Sequence, residues 1–141
     1  MASITADWQG EMVFDVIDDA GIPVDVDGSQ RIGVKPSQLL PMALATCSGV
    51  DVVQVLAEGP ARLASLTVTA RSFQDPDPPW IFTRIKVHYR VGGTGLTDEI
   101  VAEAIHRSHT EMCSVAATIQ ATTQIESTFE IVPGTGAVPG S

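Results

Sequence analysis

The chain has two cysteines, and their positions point most directly to chemistry. Cys47 lies within a long, mostly apolar stretch, and Cys113 follows 66 residues later, where another helix is predicted to start. If Thr110 caps that helix, Cys113 falls in its first turn, where free amides and the helix dipole favour the thiolate and lower the thiol pKa. Two thiols joined by the fold would permit a sulfenic acid on one to condense with the other into a disulfide, which an external thiol then reduces.

Each cysteine also has a purely structural interpretation. On a helix, Cys47 shares a face with apolar residues such as Leu44 and Val50, so position alone favours an inert core thiol. Cys113 fits equally well as a small residue that fills a tight helix start. The spacing of the two cysteines permits a thiol pair and does not establish one.

The charges near Cys47 bear on its activation. Asp51 follows one helical turn later on the same side, and a carboxylate there opposes thiolate formation unless a cation offsets it. Arg31 and Lys35, just upstream of the apolar stretch, are the candidates for that cation. Solvated loop cations are an equally good interpretation of both residues.

Other polar clusters favour structural roles. Arg84, Lys86, His88 and Arg90 share one face of a predicted strand, which we expect to pair with acidic neighbours such as Glu126 and Glu130 rather than to bind an anion. His106 and His109 are three residues apart on a predicted helix, without an HExxH or CxxC pattern around them. We expect a solvated helix end there and no metal site.

Composition narrows the classes of partner. A net charge of −9 over 141 residues argues against nucleic acid and against an anionic membrane surface. Apolar residues make up 44% of the chain and charged residues 18%, which favours extra buried surface, most simply in a homodimer. The N-terminal residues do not resemble a signal peptide, and two cysteines then fit a reducing cytoplasm.

The predicted elements give an α+β domain whose sheets are mainly antiparallel and surround a long buried helix. Two or three strands over 3–27 precede that helix, which spans Lys35–Glu58, with Ser37 as a plausible N-cap and Pro41 near its first turn. Two long strands, two helices and a last strand follow. We predict one domain over 1–132 and a mobile Pro/Gly-rich tail over 133–141.

The apolar run 39–57 has nearly the length needed to cross a membrane. Asp51 and Gln54 lie inside it, and a charge at that depth is costly in lipid. We therefore expect a buried helix of a soluble fold.

Two segments together resemble the OsmC/Ohr family. PSQLLPMALATCSGVDVVQVL resembles the first cysteine helix of that family, and TRIKVHYRVGG with LTDEIVAEAIHRSHTEMCSVAATI resembles the second cysteine segment and the strand before it. The similarity runs from Trp8 to Val132 in order and without large insertions. It is nearer to the OsmC-like branch than to the organic hydroperoxide resistance branch.

The resemblance implies an intertwined homodimer, with the long helices buried between sheets and two active sites at the subunit interface. It implies a thiol-dependent peroxidase acting on organic hydroperoxides in oxidative stress defence, with Cys47 as the peroxidatic sulfur and Cys113 as the resolving one. It implies no metal, haem or flavin, and an external dithiol as reductant. The activating glutamate of family peroxidases falls at Ser37 or Gln38 here, which leaves Arg31 as the candidate for thiolate activation.

The alternative is a catalytically weak or inactive homodimer that senses redox state or binds a small apolar molecule. A ligand retained on purification, or saturable binding unaffected by Cys47→Ser, would favour that alternative. Hydroperoxide consumption that depends on Cys47 would favour the enzyme.

Overall fold

The computed structural model describes residues 2–134, which divide into two compact units at the bond between Leu40 and Pro41. The N-terminal unit is an antiparallel meander of β1 (Ile4–Gly10), β2 (Val13–Asp18) and β3 (Pro23–Asp27), in that order. The predicted alternation of apolar and polar residues therefore yields three strands. The predicted tail, 133–141, lies outside the described residues except for its first two positions, and the single domain over 1–132 stays a prediction.

Asp side chains close the turns of the N-terminal unit. The Asp18 carboxylate accepts hydrogen bonds from the N–H groups of Ala20 and Ile22, which fixes the turn between β2 and β3. After β3, the carboxylate of the buried Asp27 accepts hydrogen bonds from three backbone N–H groups, those of Ser29, Arg31 and Ile32. These bonds, that of Ser29 foremost, hold the pKa of Asp27 below its usual 3.8.

The second unit is built on a three-stranded sheet in the order β4 (Arg62–Gln74), β5 (Phe82–Thr94), β6 (Gln124–Pro133). β4 and β5 are antiparallel, as expected, whereas β6 runs parallel to β5. After β5, the chain returns through helices to the edge of the sheet at which β5 begins, and β6 starts there. Such a crossover connection produces a parallel pair of strands. The sheet is therefore mixed, which the sequence pattern did not predict.

The long helix α1 (Leu39–Glu58) begins after a 3₁₀ turn at Pro36–Gln38. The residue that caps this turn is Lys35, so the predicted N-cap at Ser37 is wrong: Ser37 lies inside the turn, beside Pro36. Pro41 lies in the first turn of α1, as predicted, where its missing N–H costs no helical hydrogen bond. The helix ends before Gly59, whose N–H donates to the Leu56 carbonyl.

One face of α1 carries the buried side chains and the other does not. Leu44, Ser48, Val52 and Leu56 recur every four residues and are buried, whereas Val50 and Val53 are exposed. The buried face packs into one core with the inner face of β5, where Ile85, Val87, Tyr89 and Val91 are all buried. Within a single chain, the helix that was expected to be buried is therefore buried on one face only.

By length and hydropathy alone, Pro36–Glu58 would suffice to cross a membrane. Its most apolar window has a mean hydropathy of 1.6, and 39% of that window is buried inside the fold. Core helices meet the same criteria, and the buried stripe belongs to the core of the second unit. We therefore interpret α1 as a core helix.

Three short segments make the crossover. Helix α2 (Asp98–Arg107) is capped by Thr97, whose hydroxyl accepts a hydrogen bond from the Ile100 N–H, as predicted. A π-helical turn (Ser108–Met112) follows, and helix α3 (Ser114–Ile119) comes after it. Val101, Ala104 and Ile105 of α2 join the core.

Candidate active site

The fold brings the two cysteines together. Cys47 lies midway along α1 and is half-buried, and Cys113 lies between the π-helical turn and α3 and is only 2% exposed. The two sulfurs and a carboxylate oxygen of Asp51 all lie within 4.8 Å of one another. Residues 66 positions apart in the chain therefore form one dithiol–carboxylate cluster.

The π-helical turn sets the position of Cys113. The Cys113 N–H donates to the Ser108 carbonyl at 2.8 Å, five residues earlier, and Thr110 donates its hydroxyl to the His106 carbonyl. The predicted helix start at Thr110 is therefore wrong, because Thr110 continues the preceding helix. Cys113 is itself the N-cap of α3, and its Sγ accepts a hydrogen bond from the Ala116 N–H at 3.3 Å.

Burial governs the acidity of Cys113. Removal of its sulfur from water raises the pKa of the thiol to about 11, and the neighbouring Cys47 adds to the rise. The hydrogen bond from Ala116 acts in the opposite direction and is outweighed. The expectation of a lowered pKa at a helix start is therefore wrong for this residue, since desolvation exceeds the effect of the helix amides.

Asp51 joins α1 to the π-helical turn. Its carboxylate is 8% exposed and accepts a hydrogen bond from the buried Ser108 hydroxyl at 2.9 Å. The ion pairs formed by residues 2–134 do not include Asp51. Cys47, Asp51 and Cys113 each offer one atom that could bind a metal ion.

A hydrogen-bonded chain runs beside the cluster through the buried Tyr89. Its hydroxyl donates to the Ser48 Oγ at 2.8 Å, and Ser48 donates in turn to the Leu44 carbonyl. The Tyr89 oxygen then accepts from His109 Nε2, also at 2.8 Å, which places the proton of a neutral His109 on Nε2. Burial raises the pKa of Tyr89 to about 12 and lowers that of His109, so both groups are neutral at pH 7.

The sequence pattern did not predict most of this hydrogen-bonded chain. His109 was expected at a solvated helix end, which is wrong, because it lies in the π-helical turn, partly buried against Tyr89. The available signal was Tyr89 itself, which carries the one hydroxyl in the alternating apolar series Ile85, Val87, Tyr89 and Val91, since a buried phenol requires a partner. Ser108 had no comparable signal, because only the π-helical turn brings it to Asp51.

The remaining charged residues behave as surface groups. Arg84 pairs with Glu126, and His88 and Arg90 pair with Glu130, which confirms the expected acidic partners for three residues of the basic face of β5. Lys86 instead lies over the Phe73 ring. Arg31 pairs with Glu11 within the N-terminal unit, and both side chains are exposed. Its role in thiolate activation stays a prediction.

An apolar groove of about 740 Å³ lies between α1 and β4 in the second unit. Its helix side includes Gly49, Val50 and Val53, and its strand side includes Leu66 and Val68. Val50 and Val53 are 55% and 44% exposed. Neither cysteine lines the groove.

Fold and site together define an α+β protein with two adjacent thiols on different elements. The family model for OsmC-like proteins matches residues 27–128, a span that includes both cysteines. The chain belongs to the OsmC-like family.

Individual relatives agree with this assignment. Protein YhfA of Escherichia coli K12 is 33% identical over 97 residues, which are 69% of this chain and 72% of YhfA. The OsmC-like protein of Mycoplasma pneumoniae superposes with a TM-score of 0.82 at 16% identity, covering 94% of this chain and 97% of that one. The organic hydroperoxide resistance protein OhrB of Bacillus subtilis superposes with a TM-score of 0.62 at 20% identity, covering 92% and 98%. The fold is therefore the OsmC fold.

Proposed function

We propose that this protein is a homodimeric, cysteine-based peroxidase that reduces organic hydroperoxides. The observation that carries the proposal is the separation of the Cys47 and Cys113 sulfurs, which is at most 4.8 Å. To form a disulfide, the two sulfurs must approach each other by about 3 Å at most, since the S–S bond is about 2 Å long. Membership of the OsmC-like family supports the same chemistry.

The different solvent exposure of the two thiols indicates which one reacts with the peroxide. Cys47 is the more accessible sulfur, so its thiolate attacks the outer oxygen of the hydroperoxide. The O–O bond breaks, the sulfur keeps the hydroxyl as a sulfenic acid, and the alkoxide takes a proton from solvent and leaves as an alcohol. Cys113, with a raised pKa, stays protonated and does not compete for the peroxide at this stage.

The second half of the cycle resolves the sulfenic acid. An S–S bond forms between Cys113 and Cys47, the S–O bond breaks, and the hydroxyl leaves with the thiol proton as water. An external dithiol then reduces the disulfide and is itself oxidised. Such a reductant is supplied by a reducing compartment, which is why we infer a cytoplasmic location.

Organic rather than hydrogen peroxides are the proposed substrates. One structural relative, OhrB of Bacillus subtilis, is an organic hydroperoxide resistance protein, and its fold is shared. The test is consumption of cumene hydroperoxide with dithiothreitol or a dihydrolipoyl protein as reductant. Wild type should turn over with either reductant and Cys47→Ser should fall to background. Cys113→Ser should lose turnover with the dihydrolipoyl protein, which reduces the Cys47–Cys113 disulfide. Equal background rates in wild type and Cys47→Ser would refute the proposal.

The resolving role has a separate test. After mild peroxide treatment, mass spectrometry of the proteolysed protein should find a peptide pair joined through Cys47 and Cys113. Two free thiols, or overoxidation of each cysteine separately, would contradict the role given to Cys113.

Arg31 is the proposed cation for thiolate activation, because the glutamate of the family pattern is replaced by Ser37 and Gln38. Arg31→Gln should slow peroxide consumption, whereas Arg71→Gln, which removes an exposed arginine of β4, should not. Equal rates in the two variants would remove Arg31 from the mechanism.

The apolar groove supports the homodimer. Exposed valines that line it sit beside apolar strand residues, a surface that a second copy of the chain would cover. Sedimentation should give twice the 14.9 kDa chain mass for wild type. Val50→Glu should shift it toward the monomer, and Ala57→Glu, on an exposed part of α1 outside the groove, should not. A monomeric wild type at micromolar concentration would refute the dimer.

The same groove favours one alternative, a protein that binds a small apolar molecule or senses redox state with little turnover. The groove is lined by neither cysteine, so its ligand would be held independently of the thiols. The alternative predicts saturable binding of an apolar probe that Cys47→Ser leaves unchanged and Val50→Glu weakens.

A further inference from the structure

Asp51 is unexplained by disulfide chemistry. A thiol–disulfide cycle requires two sulfurs and an oxidant, and a carboxylate beside the sulfurs opposes the thiolate form. The carboxylate is nevertheless buried, lies within 4.8 Å of both sulfurs and forms no ion pair among residues 2–134. A cation placed between the three groups would balance the charge of the carboxylate and of the thiolates that form when it binds.

We propose that reduced Cys47 and Cys113, together with Asp51, form a binding site for a thiophilic divalent cation of the zinc type. Two thiolates and one carboxylate are a donor set suited to such ions, whereas magnesium and calcium require oxygen ligands throughout. Three protein ligands leave a fourth tetrahedral position for water or for a small external thiol.

The geometry needs little adjustment. With zinc–sulfur bonds of about 2.3 Å, two sulfurs of a tetrahedral site lie about 3.8 Å apart. The three ligand atoms are within 4.8 Å of one another, so the two sulfurs must approach by about 1 Å at most and each sulfur–oxygen pair by about 1.3 Å at most. Cys47 and Asp51 are one turn apart on α1, and the α-helix therefore presents both on one face.

The surroundings supply the second shell that metal sites require. The Ser108 hydroxyl donates to Asp51 Oδ2 at 2.9 Å and fixes the carboxylate, and the Ala116 N–H donates to the Cys113 sulfur at 3.3 Å. Both donors are held by the π-helical turn and α3. The ligands are thus oriented by hydrogen bonds that are present without the ion.

Binding exchanges two protons for one cation. The ion forms two metal–sulfur bonds and a metal–oxygen bond while both thiols release their protons to solvent. The metal is not oxidised or reduced. Because the ion occupies both sulfurs, metal binding and reaction with peroxide exclude each other, and turnover itself requires no metal.

Cobalt(II) added to the reduced, chelator-treated protein is a direct probe. We expect one ion per chain, a sulfur-to-cobalt charge-transfer band in the near ultraviolet, and displacement by zinc. Asp51→Asn, which can still accept the Ser108 hydrogen bond, should weaken binding by about tenfold or more, and Ser108→Ala by a similar factor. Glu103→Gln, which removes an exposed carboxylate of α2, should bind as wild type does.

Two results would overturn the proposal. One is a wild-type protein without the charge-transfer band at millimolar cobalt. The other is a band that persists with unchanged affinity in Asp51→Asn or, should that variant not fold, in Cys47→Ser. Circular dichroism checks the fold of each variant. The titration contains no peroxide, so a protein without peroxidase activity can still pass it.

The competition has its own readout. One equivalent of zinc should slow the loss of free thiols during cumene hydroperoxide treatment, and a chelator should restore the original rate. Zinc that binds without changing the rate of thiol loss would place the ion away from the sulfurs and refute the assignment.

Discussion

Selective alkylation tests the different environments of the two thiols. The pKa of Cys113 rises from a usual 9.0 to about 11, chiefly through burial. A two-unit rise lowers the thiolate fraction at neutral pH about 100-fold. The more basic thiolate is the better nucleophile, and a Brønsted coefficient of about 0.4–0.5 raises its intrinsic reactivity by roughly 6–10-fold for this two-unit rise in pKa. Cys113 should therefore react about 10-fold more slowly than an unshifted thiol, and its 2% exposure should slow it further.

The assay is iodoacetamide labelling of the reduced protein at pH 7 with a chelator present, followed by peptide mass spectrometry over time. Cys47 should be labelled well before Cys113, and both should react alike in urea. The Cys113 rate should still be rising between pH 9 and pH 10, because its pKa lies near 11. Since Cys47 adds to that rise, Cys47→Ser should speed the labelling of Cys113. Equal rates for both cysteines in the folded protein, with a plateau for Cys113 below pH 9, would refute the burial argument.

Three further predictions concern stability, each measured by urea unfolding. Tyr89→Phe should lower the free energy of unfolding by about 1–2 kcal/mol, since it leaves the partly buried His109 N–H without its acceptor; a loss below measurement error would mean that water replaces the phenol. Ser108→Ala should lower the free energy of unfolding by about 1–3 kcal/mol, because the buried Asp51 carboxylate loses its hydrogen-bond donor. The double variant Ser108→Ala/Asp51→Asn should lose less free energy of unfolding than the sum of the losses in the two single variants. Asp27 has a lowered pKa in the folded protein, so its carboxylate stabilises the fold above the unfolded pKa, and this contribution is lost as the pH falls through the folded pKa. Asp27→Asn should therefore have a lower free energy of unfolding than wild type at pH 7, and it should lose less of that free energy between about pH 5 and pH 2. Parallel curves of unfolding free energy against pH for the two proteins would contradict this.

Local patterns sufficed for most of the elements and for one half of the site. The alternation along β5 predicted its buried face, and the capping signal at Thr97 predicted the start of α2. Cys47 was predictable as a residue midway along an apolar helix. These features depend on neighbours within a few residues, which is the range over which sequence periodicity carries information.

The other half of the site depends on backbone geometry that residue types do not encode. Thr110 has the side chain of an N-cap, yet its hydroxyl donates to the His106 carbonyl and the helix continues through a π-helical turn. That single irregular turn moves Cys113 from the first turn of a helix to its cap. Its pKa then follows from burial among residues that are distant in the sequence, and no local pattern reports on burial of that kind.

The parallel pairing of β6 with β5 also affects the order in which the fold can form, because the crossover must be complete before β6 can pair. A ribosome delivers Cys47 well before Cys113, and β6 comes later still. Non-local strand pairs form slowly because a long loop must close first. The growing chain therefore carries Cys47 as a solitary thiol until the crossover that contains Cys113 has folded. Oxidation of Cys47 before Cys113 has folded against it would leave a sulfenic acid without a resolving thiol in the proposed chemistry.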